Sequence, residues 1–286
     1  MSAFHLWIDL LKLRIASVIT LTGVSAAALT SPTWPKAQTT ALLALALLLA
    51  SAGAGALNHV IDFDIDARME RTRRRPLPAG KITRRCAIVV GLALSVVALT
   101  TALLYLNRIV ALHLFAGWFV YVIIYTAWLK RRSVLNIVIG GLAGSFAALA
   151  GGASVRPELC LPPLLLAAII FFWTPPHFWA LAIMYLEDYR RARIPMLPAV
   201  HGTERTAFWI LVHTMLLAAV SVVLVVVGPS GGLYAIVAVA AAAYYLWRNI
   251  QLVRAPSNQA ALASFKASLV YLTLLLVAML ADSRRW

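Results

Sequence analysis

Nine separate runs of about twenty apolar residues decide what this chain can fold into, because each is long enough to cross ~30 Å of hydrocarbon as a helix. They occupy roughly 15–31, 39–61, 86–106, 109–129, 134–154, 162–184, 206–227, 232–250 and 264–282. Backbone groups in lipid have no water to bond, so each run must satisfy its own amides and carbonyls as a helix. Of the 286 residues, 62% are hydrophobic and 12% charged, about half the charged fraction of a soluble domain. The chain is therefore expected to be all-α, a polytopic membrane bundle of about nine helices whose solvent is the lipid bilayer. A single domain is expected over residues 1–286.

The formal net charge of +15 invites a nucleic-acid reading, but the positions of the charges argue against one. Lys and Arg cluster in short loops between apolar runs, where they orient a membrane protein. Counted from the N-terminus, alternate loop segments hold twenty of the 25 Lys and Arg and the other set holds five. That asymmetry puts the N-terminus and the 62–85 and 185–205 loops on the cytoplasmic side. The first segment has neither a transit-peptide composition nor a cleavable signal, which favours a bacterial inner membrane over a mitochondrial one. Cys86 and Cys160 are too distant in pattern for a disulfide framework or a zinc motif.

The acidic residues are more concentrated still. Four of the ten Asp and Glu lie in 62–70 and three in 187–204, in loops that follow the second and sixth runs. Loops four spans apart on the same side imply two four-helix pseudo-repeats. Small-residue stretches at 51–55 and 140–144 suit close helix packing.

In the first loop, Asn58, Asp62 and Asp66 are spaced i, i+4, i+8, which puts them on one stripe of a helix. Asp64 falls off that stripe. Oxygen ligands converging from one stripe suit Mg²⁺, which takes one or two carboxylates and leaves positions for phosphate and water. Arg68, Arg71, Arg73, Arg74, Arg75 and Lys81 follow at once, and guanidinium forks match phosphate geometry. A positive-inside loop alone accounts for the basic residues. It does not account for three carboxylates at a membrane surface, where charge is costly. The combination reads as a diphosphate cradle.

The sixth run carries Pro175, Pro176 and His177 and leads to Asp188 and Tyr189. A Pro-Pro pair is expected to kink the span and free carbonyls toward a cavity. Eleven residues separate His177 from Asp188, so one continuous helix puts them on nearly the same face, about 16 Å apart. Asp188 is then a candidate for a second metal position, with His177 deeper. A packed, hydrogen-bonded histidine is the plainer alternative.

At these two loops the sequence resembles the UbiA superfamily of intramembrane prenyltransferases, and within it the haem O synthase (protohaem IX farnesyltransferase) family. Asn58, Asp62 and Asp66 match the superfamily's NxxxDxxxD motif. Met69, Arg71, Thr72, Arg75, Pro76 and Leu77 match the narrower family's continuation. Pro176-His177-Phe178, Asp188-Tyr189 and the 194–198 stretch Ile-Pro-Met-Leu-Pro match its second signature. The superfamily's second motif, DxxxD, is broken by Ala192, which argues against the quinone-precursor and chlorophyll branches and leaves a second metal under-coordinated.

The resemblance implies farnesyl diphosphate and haem B as substrates, Mg²⁺ as cofactor and haem O as product. Haem A synthase or terminal oxidase assembly would lie downstream. It assigns Asn58, Asp62, Asp66 and Asp188 to metal and catalysis. Arg71, Arg75 and Lys81 would hold phosphate, Tyr189 would orient Asp188, and His177 would contact haem. Arg190, Arg191 and Arg193 are candidates for the haem propionates. Two other readings compete: a different acceptor such as 4-hydroxybenzoate, and a transporter whose acidic stripe is an ion site. Transporter sites lie near the midplane at broken helices, whereas this stripe begins at a span end.

Overall fold

In the computed structural model, which describes residues 3–228 and 231–282, nine helices among the described residues are long and apolar enough to cross a membrane. They are Leu13–Thr30, Ala37–Ile61, Arg84–Tyr105, Arg108–Arg131, Asn136–Val155, Leu161–Met184, Leu197–Val227, Gly232–Arg254 and Asn258–Asp282. A short helix, Ala3–Leu10, precedes them. Large apolar side chains such as Val89, Leu104, Val226 and Ile236 face outward around the bundle. Apolar surface on that scale suits lipid and would aggregate in water. The chain is a multi-pass membrane protein. Arg284 and Arg285 of the charge count lie outside the described residues.

Seven of the span starts fall within two residues of the hydropathy reading, and two begin well before it. The seventh starts at Leu197 rather than 206 and the ninth at Asn258 rather than 264. The seventh opens with a separate apolar turn, Leu197-Pro198-Ala199-Val200, cut from the long helix at Gly202, so the long helix begins within a few residues of 206. The φ of 81° at Gly202 is a conformation open mainly to glycine. The ninth opens on polar Asn258 and Gln259, and an apolar window cannot detect helix that emerges from the hydrocarbon.

Consecutive spans pack in order, and the ninth returns to the first, closing the bundle. The second span lies against the third as the sixth lies against the seventh, and the first against the second as the fifth against the sixth. This four-span offset is the expected pseudo-repeat. Lipid supplies little hydrophobic drive between helices, so close packing and hydrogen bonds hold the bundle. A Cβ on Gly53 would lie 2.7 Å from the Gly91 carbonyl, which shows how closely the second and third spans approach. Gly151 is tighter, with the Gly23 carbonyl of the first span occupying the place its Cβ would take. Gly151→Val should therefore cost about 3 kcal/mol or more and lower the thermal midpoint in detergent by many degrees. Gly232→Ala, where nothing lies within 4 Å, should leave the midpoint unchanged.

Buried polar side chains bond across spans. Asn249 Nδ2 donates to Thr214 Oγ1 (2.8 Å) and Ser264 Oγ donates to Asn249 Oδ1 (2.5 Å). At the opposite end from these partners, Asp282 accepts the Tyr234 amide (2.7 Å) at the start of the eighth span.

Three local irregularities shape the functional end. The fourth span widens into a π-helix over Val120–Trp128 and tightens to a 3-10 turn at Leu129–Arg131. The sixth span is one helix from Leu161 to Met184 and carries Pro175 and Pro176 inside it without a break in the helix. The two prolines leave the Phe171 and Phe172 carbonyls without their helical amide partners, while Thr174 Oγ1 bonds the Ile170 carbonyl (2.8 Å) one residue earlier. The second span stops at Ile61 and restarts at Phe63.

Candidate active site

Asp62 sits at that nick (φ −85°, ψ 5°), yet the hydrogen-bond ladder carries across it. The Asp62 amide donates to the Asn58 carbonyl (2.9 Å) and the Asp66 amide to the Asp62 carbonyl (2.7 Å). The i, i+4, i+8 stripe therefore survives, and Asn58, Asp62 and Asp66 are all buried. Asn58 Nδ2 donates to Asp62 Oδ2 (2.9 Å) and to Thr126 Oγ1 (3.0 Å). Asn58 Oδ1 accepts from the Lys12 ammonium, which also reaches Tyr121 Oη (3.2 Å). Lys130 pairs with Asp62 Oδ2. Arg75 spans both oxygens of Asp66 at 2.9 Å. His59 is buried beside Asp66 (3.9 Å) with neither ring nitrogen hydrogen-bonded.

Three cations, Lys12, Lys130 and Arg75, thus face two carboxylates. Lys12 is the surplus one. Burial, with Arg75 next in effect, holds its ammonium down to about 7, because desolvation and like charge both disfavour the protonated form. The turn that presents it (Lys12 φ 48°) leans on Gly55, where an added Cβ would lie 3.3 Å from the Leu11 carbonyl oxygen.

Asp64 points elsewhere. It takes both Arg131 nitrogens (2.6 and 2.9 Å) at the surface, and that hydrogen bond holds its carboxyl below the usual range. Exposed ion pairs contribute about 0–1 kcal/mol. Asp64→Ala should keep turnover within about threefold of wild type and leave folding nearly unchanged, by steady-state assay and thermal scan.

The second loop meets the first through Asp188. Its two oxygens accept the backbone amides of Glu70 and Arg71, each at 3.0 Å, so the carboxylate braces the turn that carries Arg71. Arg191 approaches at 3.9 Å. The continuous helix expected from His177 to Asp188 is interrupted at Tyr185 (φ −114°, ψ 34°), which turns Asp188 toward the first loop. Arg71 lies over the Tyr185 ring (5.2 Å) and borders a cavity of about 590 Å³ with Glu70, Asp188 and residues 256–258. Tyr189 is buried in the cluster that holds Tyr125, Ile65 and Met69. Lys81 lies exposed after Gly80, away from the stripe's hydrogen bonds. His177 is sandwiched between Trp173 (4.3 Å) and Phe265 (4.6 Å) and bonds Ser268 Oγ through Nδ1 (2.7 Å). That is the packed arrangement named as the plainer alternative.

Residues 16–276 match the model of the UbiA prenyltransferase family. The chain belongs to that family. Protoheme IX farnesyltransferase 1 of Paramagnetospirillum magneticum is 46% identical over 284 residues, covering 99% of each chain. Protoheme IX farnesyltransferase 2 of the same organism is 44% identical over 272 residues, covering 95% and 94%. A solved digeranylgeranylglyceryl phosphate synthase superposes with a TM-score of 0.80 over all of both chains at 16% identity. A UbiA homologue from Archaeoglobus fulgidus, bound to GPP and Mg²⁺, does so at 0.72 over 96% and 99% at 17% identity. At those identities the two structures speak to the fold.

The Mg²⁺ implied by UbiA membership can be tested against the side chains present. Asp62 Oδ1 is buried with no hydrogen-bond partner, an orphaned carboxylate oxygen of the kind a cation relieves. Among the described residues no three His, Cys, Asp or Glu side chains gather as a self-sufficient metal cage. Two carboxylates and one amide oxygen are what Mg²⁺ uses when phosphate oxygens complete its shell, so the donor set fits. Lys12, Lys130, Tyr121 and Thr126 were not singled out by sequence reasoning. Both lysines read as positive-inside charges at span ends, and no local spacing distinguishes them from the others.

Proposed function

We propose that this UbiA prenyltransferase transfers the farnesyl group of farnesyl diphosphate to a vinyl group of haem B, with addition of water, giving haem O. The observation that carries the prenyl-transfer half is the buried Asn58-Asp62-Asp66 stripe, with its orphaned oxygen, faced by three cations. The acceptor half rests on relatives named protoheme IX farnesyltransferase that align over nearly the whole chain. In the same reading the site faces the cytoplasm across a bacterial inner membrane, and haem A synthase or terminal oxidase assembly takes the product onward.

Asn58, Asp62 and Asp66 would hold Mg²⁺, which when bound neutralises charge developing on the diphosphate. The chain's own cations share that work. Lys130, Lys12 and Arg75 surround the stripe in a water-poor site, where charge stabilisation is strongest. Arg75 leaves Asp66 for a diphosphate oxygen, and Arg71, held in place by the Asp188 brace, closes from the second loop. Lys81 meets the diphosphate from the loop's outer edge. As the allylic C–O bond breaks, its electron pair leaves with the diphosphate. The farnesyl carbon bonds the terminal vinyl carbon, and water oxygen adds to the resulting cation with loss of a proton. Tyr189 packs beside Asp188 and fixes its direction, while His177, its ring faces covered by Trp173 and Phe265 and its Nδ1 on Ser268, would meet the haem only through Nε2.

Membranes containing the protein, given labelled farnesyl diphosphate with either haem B or 4-hydroxybenzoate, test the acceptor directly. Label should enter haem in a Mg²⁺-dependent manner. Label in the aromatic acid alone would overturn the haem assignment.

A further inference from the structure

On the outer wall of the bundle, the starts of the fifth and seventh spans and the side of the sixth enclose a groove of about 620 Å³, within the range of small-molecule sites. It is separate from the carboxylate stripe. Trp179 lines the groove and also packs into the cluster containing Ile65 and Met69, so groove and stripe stand back to back. Its chemistry is graded along the seventh span. His201 and Arg205 lie exposed toward the cytoplasmic rim. Trp209, Phe208 and His213 follow deeper, with Arg205, Trp209 and His213 at four-residue spacing on one helical face. From Arg205 to His213 is about 12 Å along the axis.

His213 has a defined tautomer. Its Nδ1 lies 2.9 Å from the Trp209 carbonyl oxygen, which can only accept, so Nδ1 carries the hydrogen and Nε2 the lone pair. A hydrogen bond of this kind at the far nitrogen is what orients metal-ligating imidazoles. The ring is walled by Trp179 (5.0 Å, edge-on) and Trp209 (6.3 Å). Trp179 Nε1 is buried without a partner.

We propose that this groove is a lipid-facing dock for a metalloporphyrin, with His213 Nε2 on the metal, the macrocycle against the exposed Trp209 and Phe208, and a propionate at Arg205. The proposal rests on the haem assignment above and adds a second haem position outside the transfer centre. The groove offers an acceptor nitrogen at depth, flat aromatic walls and a cationic rim. A porphyrin carrying carboxylates at one edge complements all three. A phospholipid complements the rim with its phosphate and the walls with its acyl chains, but leaves the acceptor nitrogen without a partner.

The test is titration of haem into the full-length protein in phosphatidylcholine nanodiscs, read by absorption and magnetic circular dichroism. Wild type and Asp62→Ala, which leaves the groove intact, should both show a histidine-ligated spectrum. His213→Ala should lose one haem per chain and about tenfold or more in affinity at that site, and added imidazole should restore ligation. Arg205→Gln should weaken binding without changing the ligation signature. An unchanged spectrum and stoichiometry in His213→Ala would overturn the dock. So would binding abolished equally by phosphatidylglycerol in wild type and His213→Ala. Haem prenylated normally alongside an unchanged His213→Ala spectrum sinks the dock alone. Failure of any haem binding or prenylation in wild type sinks the acceptor assignment with it.

Discussion

Asp62→Ala should lower Mg²⁺-dependent diphosphate release from farnesyl diphosphate by about 10³-fold or more, and cells expressing it should accumulate no haem O. Asp62 is the central residue of the stripe. It receives Asn58, pairs with Lys130 and carries the buried oxygen with no partner. Its loss removes a metal position and also leaves Lys130 as an uncompensated charge in a low-dielectric site. Asp62→Asn separates these effects, because it keeps the shape and one accepting oxygen while removing the charge. Both variants should fail in turnover, with Asp64→Ala, two residues away, close to wild type. Normal turnover in Asp62→Ala would refute the assignment of the stripe. Thermal unfolding of the same preparations shows whether a loss is one of chemistry or of folding.

The second large effect is expected at Asp188. Two charge-assisted hydrogen bonds to the Glu70 and Arg71 amides hold the loops together, and each contributes about 1.5–3 kcal/mol. Asp188→Ala should reduce kcat/KM by about 10²-fold and expose the 68–81 turn to proteolysis. A brace and a metal ligand predict different magnesium responses. If Asp188 acts only through the turn, the Mg²⁺ concentration for half-maximal rate stays within about twofold. If its carboxylate also reaches the metal, that concentration rises sharply.

How much of this was legible in the sequence varies with the range of the interaction. The spans were readable because hydropathy over twenty residues is a strong local signal. The early start of the ninth was missed because its first turn is polar, and the early start of the seventh is a separate turn cut off from the long helix at Gly202. The Asn58-Asp62-Asp66 stripe was readable because helical spacing is local, and it survived a nick at Asp62 that no residue announces. The partners of the stripe were not readable. Lys12 lies 46 residues from Asn58, and Thr126 and Lys130 each lie 68 from their partners, so only closure of the bundle brings them together. The break at Tyr185 is equally silent in sequence. It takes Asp188 off the helix running down to His177 and brings its carboxylate onto the Glu70 and Arg71 amides, a clasp between loops.

The widened turn of the fourth span has a consequence for anyone altering its length. A π-helix over Val120–Trp128 accommodates an extra residue relative to an α-helix of the same rise. Deleting one residue from within a regular α-helical span rotates everything beyond it by roughly 100°. Here, deleting Ile123 or Ile124 would let the segment relax to α-helical winding and leave what lies beyond it near its present angle. The same deletion in the regular stretch before it, at Val110 or Ala111, would swing Lys130 off Asp62 with no side chain of the site replaced. The fourth span carries slack at one place only, and the angle at which the lysine meets the acid depends on where a residue is lost.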